Sequence, residues 1–288
     1  MEVVRALLLS SGAQAQVDLA SDDYGGGSAL WVASFKGHVD VVHARLIAGA
    51  MLDLQNTAEG SSPLFAACHE GHVEAARALL SAGTTVDLLN NNGFTPLLVA
   101  CCGGHVEVAR ALLPVGAKVD LQNLEGGSPL FTACGYGHTE VARTLLSAGA
   151  KVDLQDNLGR SPLLFACFRG HREMLRALLS AGAKTGQADN LGITPLFMTF
   201  MRGNLEIVHA LLPAGVEVDL QNTTCGTPLF TACSHSHAEV VRAMLSVGAK
   251  VDLQGLSGAS PLFAACQEGH VEAACALLSA GARQTCVT

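Results

Sequence analysis

Six Cys-x3-His pairs are the residues of this sequence whose types and spacing most suggest chemistry: Cys68/His72, Cys101/His105, Cys134/His138, Cys167/His171, Cys233/His237 and Cys266/His270. A thiolate and an imidazole four residues apart can share a metal ion, and a cysteine beside a histidine base is the core of a thiol nucleophile. Three features argue against both. Gly71, Gly104, Gly137, Gly170 and Gly269 lie inside five of the pairs, and a glycine ends a helix, so the two side chains need not share a face. Six copies would also mean six identical active sites, each without a third, orienting group. Stacked repeats about 8–10 Å apart would hold equivalent cysteine Cα atoms beyond the ~7 Å limit for a disulfide. The six cysteines are therefore predicted to be small buried hydrophobes. No catalytic residue, cofactor site or metal site is assigned, and a metal- or redox-responsive protein is the least favoured reading.

A second ladder is acidic: Asp18, Asp53, Asp87, Asp120, Asp153, Asp219 and Asp252. In an extended segment residues i and i+2 point the same way, so Lys118, Lys151 and Lys250, each two residues before an aspartate, predict partial neutralisation. The expected role of each aspartate is to bond the backbone of its own turn.

Both ladders occupy fixed places in a repeat of 33 residues. A Ser/Thr-Pro-Leu step recurs with its proline at Pro63, Pro96, Pro129, Pro162, Pro195, Pro228 and Pro261, and self-similarity at this period marks stacked repeats. Residues 126–155 show the unit. Ser128 is a predicted N-cap, and Pro129 suits the first helical position because its missing N–H has no intrahelical partner there. A short helix is predicted over Pro129–Tyr136, with Leu130, Ala133 and Cys134 inward, and Gly137 ends it. His138 opens a second helix whose Val141, Ala142, Leu145 and Leu146 form one apolar face, closed by Gly149. Residues 150–159 alternate and then turn at Asn157 and Gly159, which predicts a hairpin-like finger. Pro114 and Pro213 fall in the last turn of second helices, where each removes a backbone donor and predicts local fraying.

The bulk numbers exclude several classes. Charged residues are 15% and hydrophobic residues 49% of 288, against about 25% charged in an average soluble protein. Yet no apolar run approaches the ~18–20 residues that span a bilayer, so membrane insertion is not expected. Residues 1–15 resemble a signal peptide ending Ala13-Gln14-Ala15, but the apolar stretch 6–9 is shorter than the ~7–15 residues required. Residues 2–8 (EVVRALL) instead repeat residues 239–245 (EVVRAML) and are read as a second helix. A net charge of −8 argues against nucleic acid, whose phosphates demand clustered Lys and Arg. Ten cysteines spread thinly over a chain with its own core predict reduced thiols, and hence an intracellular, cytoplasmic protein.

The repeat resembles the ankyrin repeat family. Thr95-Pro96-Leu97, Thr194-Pro195-Leu196 and Thr227-Pro228-Leu229 match the family's opening, and Gly71-His72, Gly104-His105, Gly137-His138, Gly170-His171 and Gly269-His270 match its middle. The resemblance implies an all-α fold, an ankyrin-repeat α-solenoid of about eight 33-residue helix-turn-helix units with β-hairpin-like fingers. It covers residues 1–288 as a single array: a truncated half repeat at 1–27, full repeats over 28–281, and a tail at 282–288. The abrupt ends suggest a fragment of a longer array, or ends that pair with something. The chain departs from the family where a histidine usually follows Pro-Leu. Phe65, Leu98, Phe131, Leu164, Phe197, Phe230 and Phe263 stand there instead, and apolar burial of about 1.5–3 kcal/mol each is expected to offset the lost Thr–His hydrogen bond. Gly203-Asn204 and Ser236-His237 also break the pattern.

The resemblance implies a non-catalytic protein–protein interaction module that binds a partner through its concave side, made by finger tips and the exposed ends of first helices. At those positions Tyr136, Phe168, Arg169, Met201 and Arg202, with Arg160 and Ile193 on adjacent fingers, are of the types enriched at interface cores. They are the candidate partner-binding residues, expected to engage a partner segment with apolar anchors and a carboxylate. The alternative is a structural spacer or spring within a larger multi-repeat scaffold protein.

Overall fold

A computed structural model describes residues 18, 20–222, 226–255 and 258–283. The second-helix reading of residues 2–8 lies outside them. The chain divides into two compact units, residues 1–151 and 152–288. In the first, β1 (Ala20–Ser21) pairs antiparallel with β2 (Gly27–Ser28). Four helix pairs follow: α1 (Ala29–Phe35) with α2 (Val39–Ile47), α3 (Pro63–Glu70) with α4 (Val73–Ser81), α5 (Pro96–Gly103) with α6 (Val106–Leu112), and α7 (Pro129–Tyr136) with α8 (Thr139–Ser147). The second unit also has four: α9 (Pro162–Arg169) with α10 (Arg172–Ser180), α11 (Pro195–Arg202) with α12 (Leu205–Leu211), α13 (Pro228–Ser234) with α14 (Ala238–Ser246), and α15 (Pro261–Gln267) with α16 (Val271–Ser279). Within each unit first helices pack on first helices and second on second, the arrangement that gives an ankyrin α-solenoid its core.

Each first helix begins for the same physical reason. The side chains of Ser28, Ser62, Thr95, Ser128, Ser161, Thr194, Thr227 and Ser260 accept from the N–H three residues on at 3.1–3.2 Å. That satisfies one of the four backbone donors a helix start leaves open. Leu64, Leu97, Leu130, Leu163 and Leu229 next to the prolines are fully buried, as are Leu79, Leu112, Leu145, Leu178 and Leu211 of the second helices. The fingers take their hairpin-like path through side-chain-closed turns: Asp156 N–H donates to Arg160 O, while Asp156 Oδ1 accepts from the N–H groups of Leu158 and Arg160.

Two contacts tie one repeat to the next. The ring of His72 donates from Nε2 to Phe35 O (3.1 Å), His105 to His69 O (2.9 Å), His138 to Cys102 O (2.9 Å) and His270 to Ser234 O (3.3 Å). The preceding repeat makes room with a left-handed glycine. A Cβ on Gly71 would meet His105 Nδ1 at 2.5 Å, and one on Gly104 would meet His138 Nδ1 at 2.5 Å. The aspartates supply the second tie, and here the expectation of a local turn bond is corrected. All seven reach forward about one repeat: Asp18, Asp53, Asp87, Asp120, Asp153, Asp219 and Asp252 accept from the N–H of Met51, Thr85, Lys118, Lys151, Lys184, Lys250 and Arg283 at 2.9–3.2 Å. The lysines contribute backbone donors; no ion pair among the described residues joins Lys118, Lys151 or Lys250 to an aspartate. Burial alone would raise the Asp53 carboxyl, but hydrogen bonds from Thr84 Oγ1, Thr85 Oγ1 and Thr85 N–H hold it below its ordinary value.

The departures from the pattern have visible consequences. Pro114 and Pro213 end their helices two residues early, and the chain closes through 3-10 turns at Leu113–Val115 and Leu212–Ala214. Phe65, Leu98, Phe131, Leu164 and Phe197 are buried as expected and Phe230 is half-buried, whereas Phe263 is 43% exposed and Cys266 is exposed too. Both lie on the last described first helix, where no described repeat covers the face that is covered elsewhere. Asn204 replaces the histidine after Gly203 and takes a different task, accepting from Ile207 N–H to cap α12. Ser236 stands where other repeats have glycine and is the one described non-glycine residue with positive φ, at 62°. His270, the ring it faces by register, makes the longest of the four histidine bonds. A left-handed non-glycine residue costs roughly 1–2 kcal/mol, so Ser236→Gly is expected to stabilise the protein by about 1 kcal/mol. Gly104→Ala adds both that strain and a clash with the His138 ring, and is expected to destabilise by more than Gly149→Ala, whose Cβ meets nothing within 4 Å. Urea midpoints of the three variants check both statements.

Candidate functional site

The Cys-x3-His pairs resolve into framework. Cys68, Cys101, Cys134, Cys167 and Cys233 are fully buried, while His72, His105, His138 and His237 turn to the preceding repeat. Among the described residues no cluster of three or more His, Cys, Asp or Glu side chains is placed to hold a metal ion. Burial pushes the thiols of Cys68, Cys101 and Cys167 well above their ordinary value, that of Cys233 up to about 12 and that of half-buried Cys102 up to about 11. The thiolate is the reacting species, so iodoacetamide at neutral pH is expected to label exposed Cys266 and Cys275 first and the buried five only after unfolding. Mass spectrometry of tryptic peptides over a time course reads this directly; Cys225 and Cys286 lie outside the described residues.

The candidate partner-binding residues fall in both units. In the first, Tyr136 at the end of α7 is 61% exposed, and its ring stacks on His138 at 6.2 Å and 14°. In the second, three guanidinium groups and two phenyl rings form a continuous cluster at the exposed end of α9 and its neighbours. Arg160 lies over Phe165 at 5.2 Å; Arg169 lies 5.6 Å from Phe165 and 5.7 Å from Phe168; Arg202 lies over Phe168 at 4.3 Å. The two rings are stacked at 6.1 Å with 5° between their planes. Met201 is 38% exposed beside Arg202, and Ile193 is half-buried on the finger before α11.

The three arginines are not equivalent. Arg160 is committed within its own finger: Nε donates to buried Asp156 Oδ2 at 2.7 Å and Nη2 lies 2.5 Å from the same oxygen. Arg169 and Arg202 take part in none of the ion pairs among the described residues. Each such cation–π contact is worth about 0.5–1 kcal/mol at an exposed site. They hold the guanidinium groups of Arg169 and Arg202 over the rings, where N–H groups not used by an ion pair can serve a partner oxygen.

Phe165 and the finger-tip leucines Leu158 and Leu191, 57% and 52% exposed, escaped the sequence reading. Phe165 is visible in register, because five copies place the smaller Ala66, Val99, Thr132, Thr231 and Ala264 at that position and a sixth places Met198. Leu158 and Leu191 carry no such signal, since a leucine in a finger reads equally as core. Their fingers are neighbours, joined by Asn190 N–H donating to Leu158 O at 3.0 Å.

The sequence matches the family model of ankyrin repeats (3 copies) over residues 30–123, 113–189 and 196–287. The chain belongs to the ankyrin repeat family. Among solved structures it is similar to the human ASB11 ankyrin repeat domain, with 33% sequence identity and a TM-score of 0.70 over 78% of this chain and 100% of that one. A search of the curated proteins returned no match. Ankyrin repeats are in general non-catalytic protein–protein interaction modules, and no helix among the described residues is long and apolar enough to cross a membrane.

Proposed function

We propose that this ankyrin-repeat chain binds a partner protein through the face carrying its finger tips and first-helix ends, with the cluster around Phe168 as the anchor. The observation that carries this reading is the pair Arg169 and Arg202. Both lie against Phe168, and among the described residues neither pairs with a carboxylate. Two ordered guanidinium groups on an aromatic floor suit a carboxylate, which they can take bidentately, while Leu158, Leu191 and Met201 offer apolar contact around it. Aromatic, Met and Arg residues are the types enriched at the centres of protein interfaces.

The partner segment is therefore acidic with apolar anchors. A partner captured with the intact chain is expected to lose at least about tenfold in affinity for the variant Phe168→Ala/Arg169→Gln/Arg202→Gln, and to bind the unchanged chain more weakly as salt rises. Calorimetric titration of that partner with both proteins is the measurement. Equal affinity for the two would remove the cluster from the interface, and failure to capture any defined partner would favour the spacer reading.

A further inference from the structure

A cavity of about 330 Å³ opens in the first unit, remote in sequence from the arginine cluster and opposite to it in character. Its aromatic walls are Tyr24, Trp31, Phe35 and Phe65. Trp31 and Phe35 are stacked at 5.2 Å and 10°, and Trp31 is locked by Nε1 donating to Ser61 Oγ at 3.0 Å. Asp23 and Glu59 line the same cavity, and neither takes part in an ion pair among the described residues. Ring faces next to unpaired carboxylates attract cations. Two of these rings already attract one, the chain's own Lys36 ammonium, which lies 5.1 Å from the Phe35 centroid and 5.6 Å from that of Tyr24; Lys36 is exposed, so its side chain swings into solvent when another cation takes that place.

The polar walls decide which cation fits. Asn56 Oδ1 accepts from Glu59 N–H, Ser61 N–H and Ser61 Oγ–H, and Ser61 Oγ accepts from Trp31. Those two oxygens are spoken for, so a cation rich in N–H groups would find few partners beyond Asp23 and Glu59. An alkylated ammonium needs none, since π-faces and nearby charge suffice. The volume lies at the small end of ligand cavities, ~300–1,000 Å³, which suits one long side chain and leaves no room for lipid tails. We propose that this cavity receives the methylated ammonium of a lysine side chain on a partner protein.

Trp31 is the sole tryptophan of the sequence, so its fluorescence reports the cavity in the full-length chain. The probe is a Gly/Ser heptapeptide with one central lysine, unmodified or trimethylated. The trimethylated peptide is expected to bind about tenfold more tightly than the unmodified one. Tyr24→Ala and Glu59→Gln, both at the cavity mouth, are each expected to weaken it about three- to tenfold, and Tyr24→Phe, which keeps the ring, to leave it unchanged. Equal affinity for the two peptides overturns the proposal, as does a Tyr24→Ala variant that binds like the unchanged chain. Phosphatidylcholine vesicles that shift Trp31 fluorescence where neither peptide does would reassign the cavity to a lipid headgroup. Because the arginine cluster is untouched, these outcomes are independent of those that test it.

Discussion

An imidazole seated against a left-handed glycine is the contact on which the rest of the structure depends. Gly37, Gly71, Gly104 and Gly203, each following a first helix, serve two purposes. Each ends the helix in a conformation that costs other residues about 1–2 kcal/mol, and its missing Cβ leaves the space that the next repeat's histidine ring fills. From that seat the ring donates to a carbonyl at the end of the preceding first helix, one of the acceptors a helix end leaves unsatisfied. Helix termination, repeat spacing and inter-repeat bonding thus share a single two-residue motif. The alternatives at that motif show the constraint from the other side: Ser236 accepts backbone strain, and Asn204 gives up the carbonyl bond to cap its own helix.

The aspartate ladder performs the same service at the fingers. A carboxylate accepting a backbone N–H about one repeat ahead is a charge-assisted bond, stronger than its neutral counterpart. A repeat array is stabilised by intrinsic and nearest-neighbour terms alone, so the aspartate and histidine bonds between repeats, each worth about 1 kcal/mol net, matter more here than the Glu–Arg pairs on second helices. Pairs such as Glu74–Arg77 and Glu173–Arg176 are exposed, and exposed pairs contribute little.

Much of this was legible in the sequence because the signals are local. Ser128 and Pro129 start a helix, Gly137 and Gly149 stop two, and the structure places α7 at Pro129–Tyr136, the span read from those residues. What local signals cannot carry is direction across repeats. Asp153 has the same spacing whether it bonds its own turn or Lys184, and only the stacking of fingers decides between them. His138 likewise gives no hint that its ring serves Cys102 O. For the candidate site, register comparison exposed Phe168 and Arg169 as departures from the framework, but the order within the cluster was invisible. That Arg160 is held by Asp156 while Arg169 and Arg202 share Phe168 depends on side-chain direction over one helical turn.

The division of labour between repeated and unrepeated positions explains how such a chain can present chemistry at all. The first-helix ends are anchored from behind by buried leucines such as Leu163 and Leu196, so a substitution such as Phe165 or Phe168 changes the surface without changing the backbone that bears it. Phe165, Phe168 and Arg169 fall at i, i+3 and i+4, the spacing at which helical side chains meet. The rings therefore order the guanidinium groups before any partner arrives. Long arginine side chains ordinarily lose about 0.5–1.5 kcal/mol of rotamer freedom each when an interface forms; stacked in advance, Arg169 and Arg202 lose less. The same reasoning applies in the first unit, where Trp31 is fixed by Ser61 and stacked on Phe35. Rigid aromatic side chains on a repeated scaffold thus give the surface ordered charged groups while the framework stays the same.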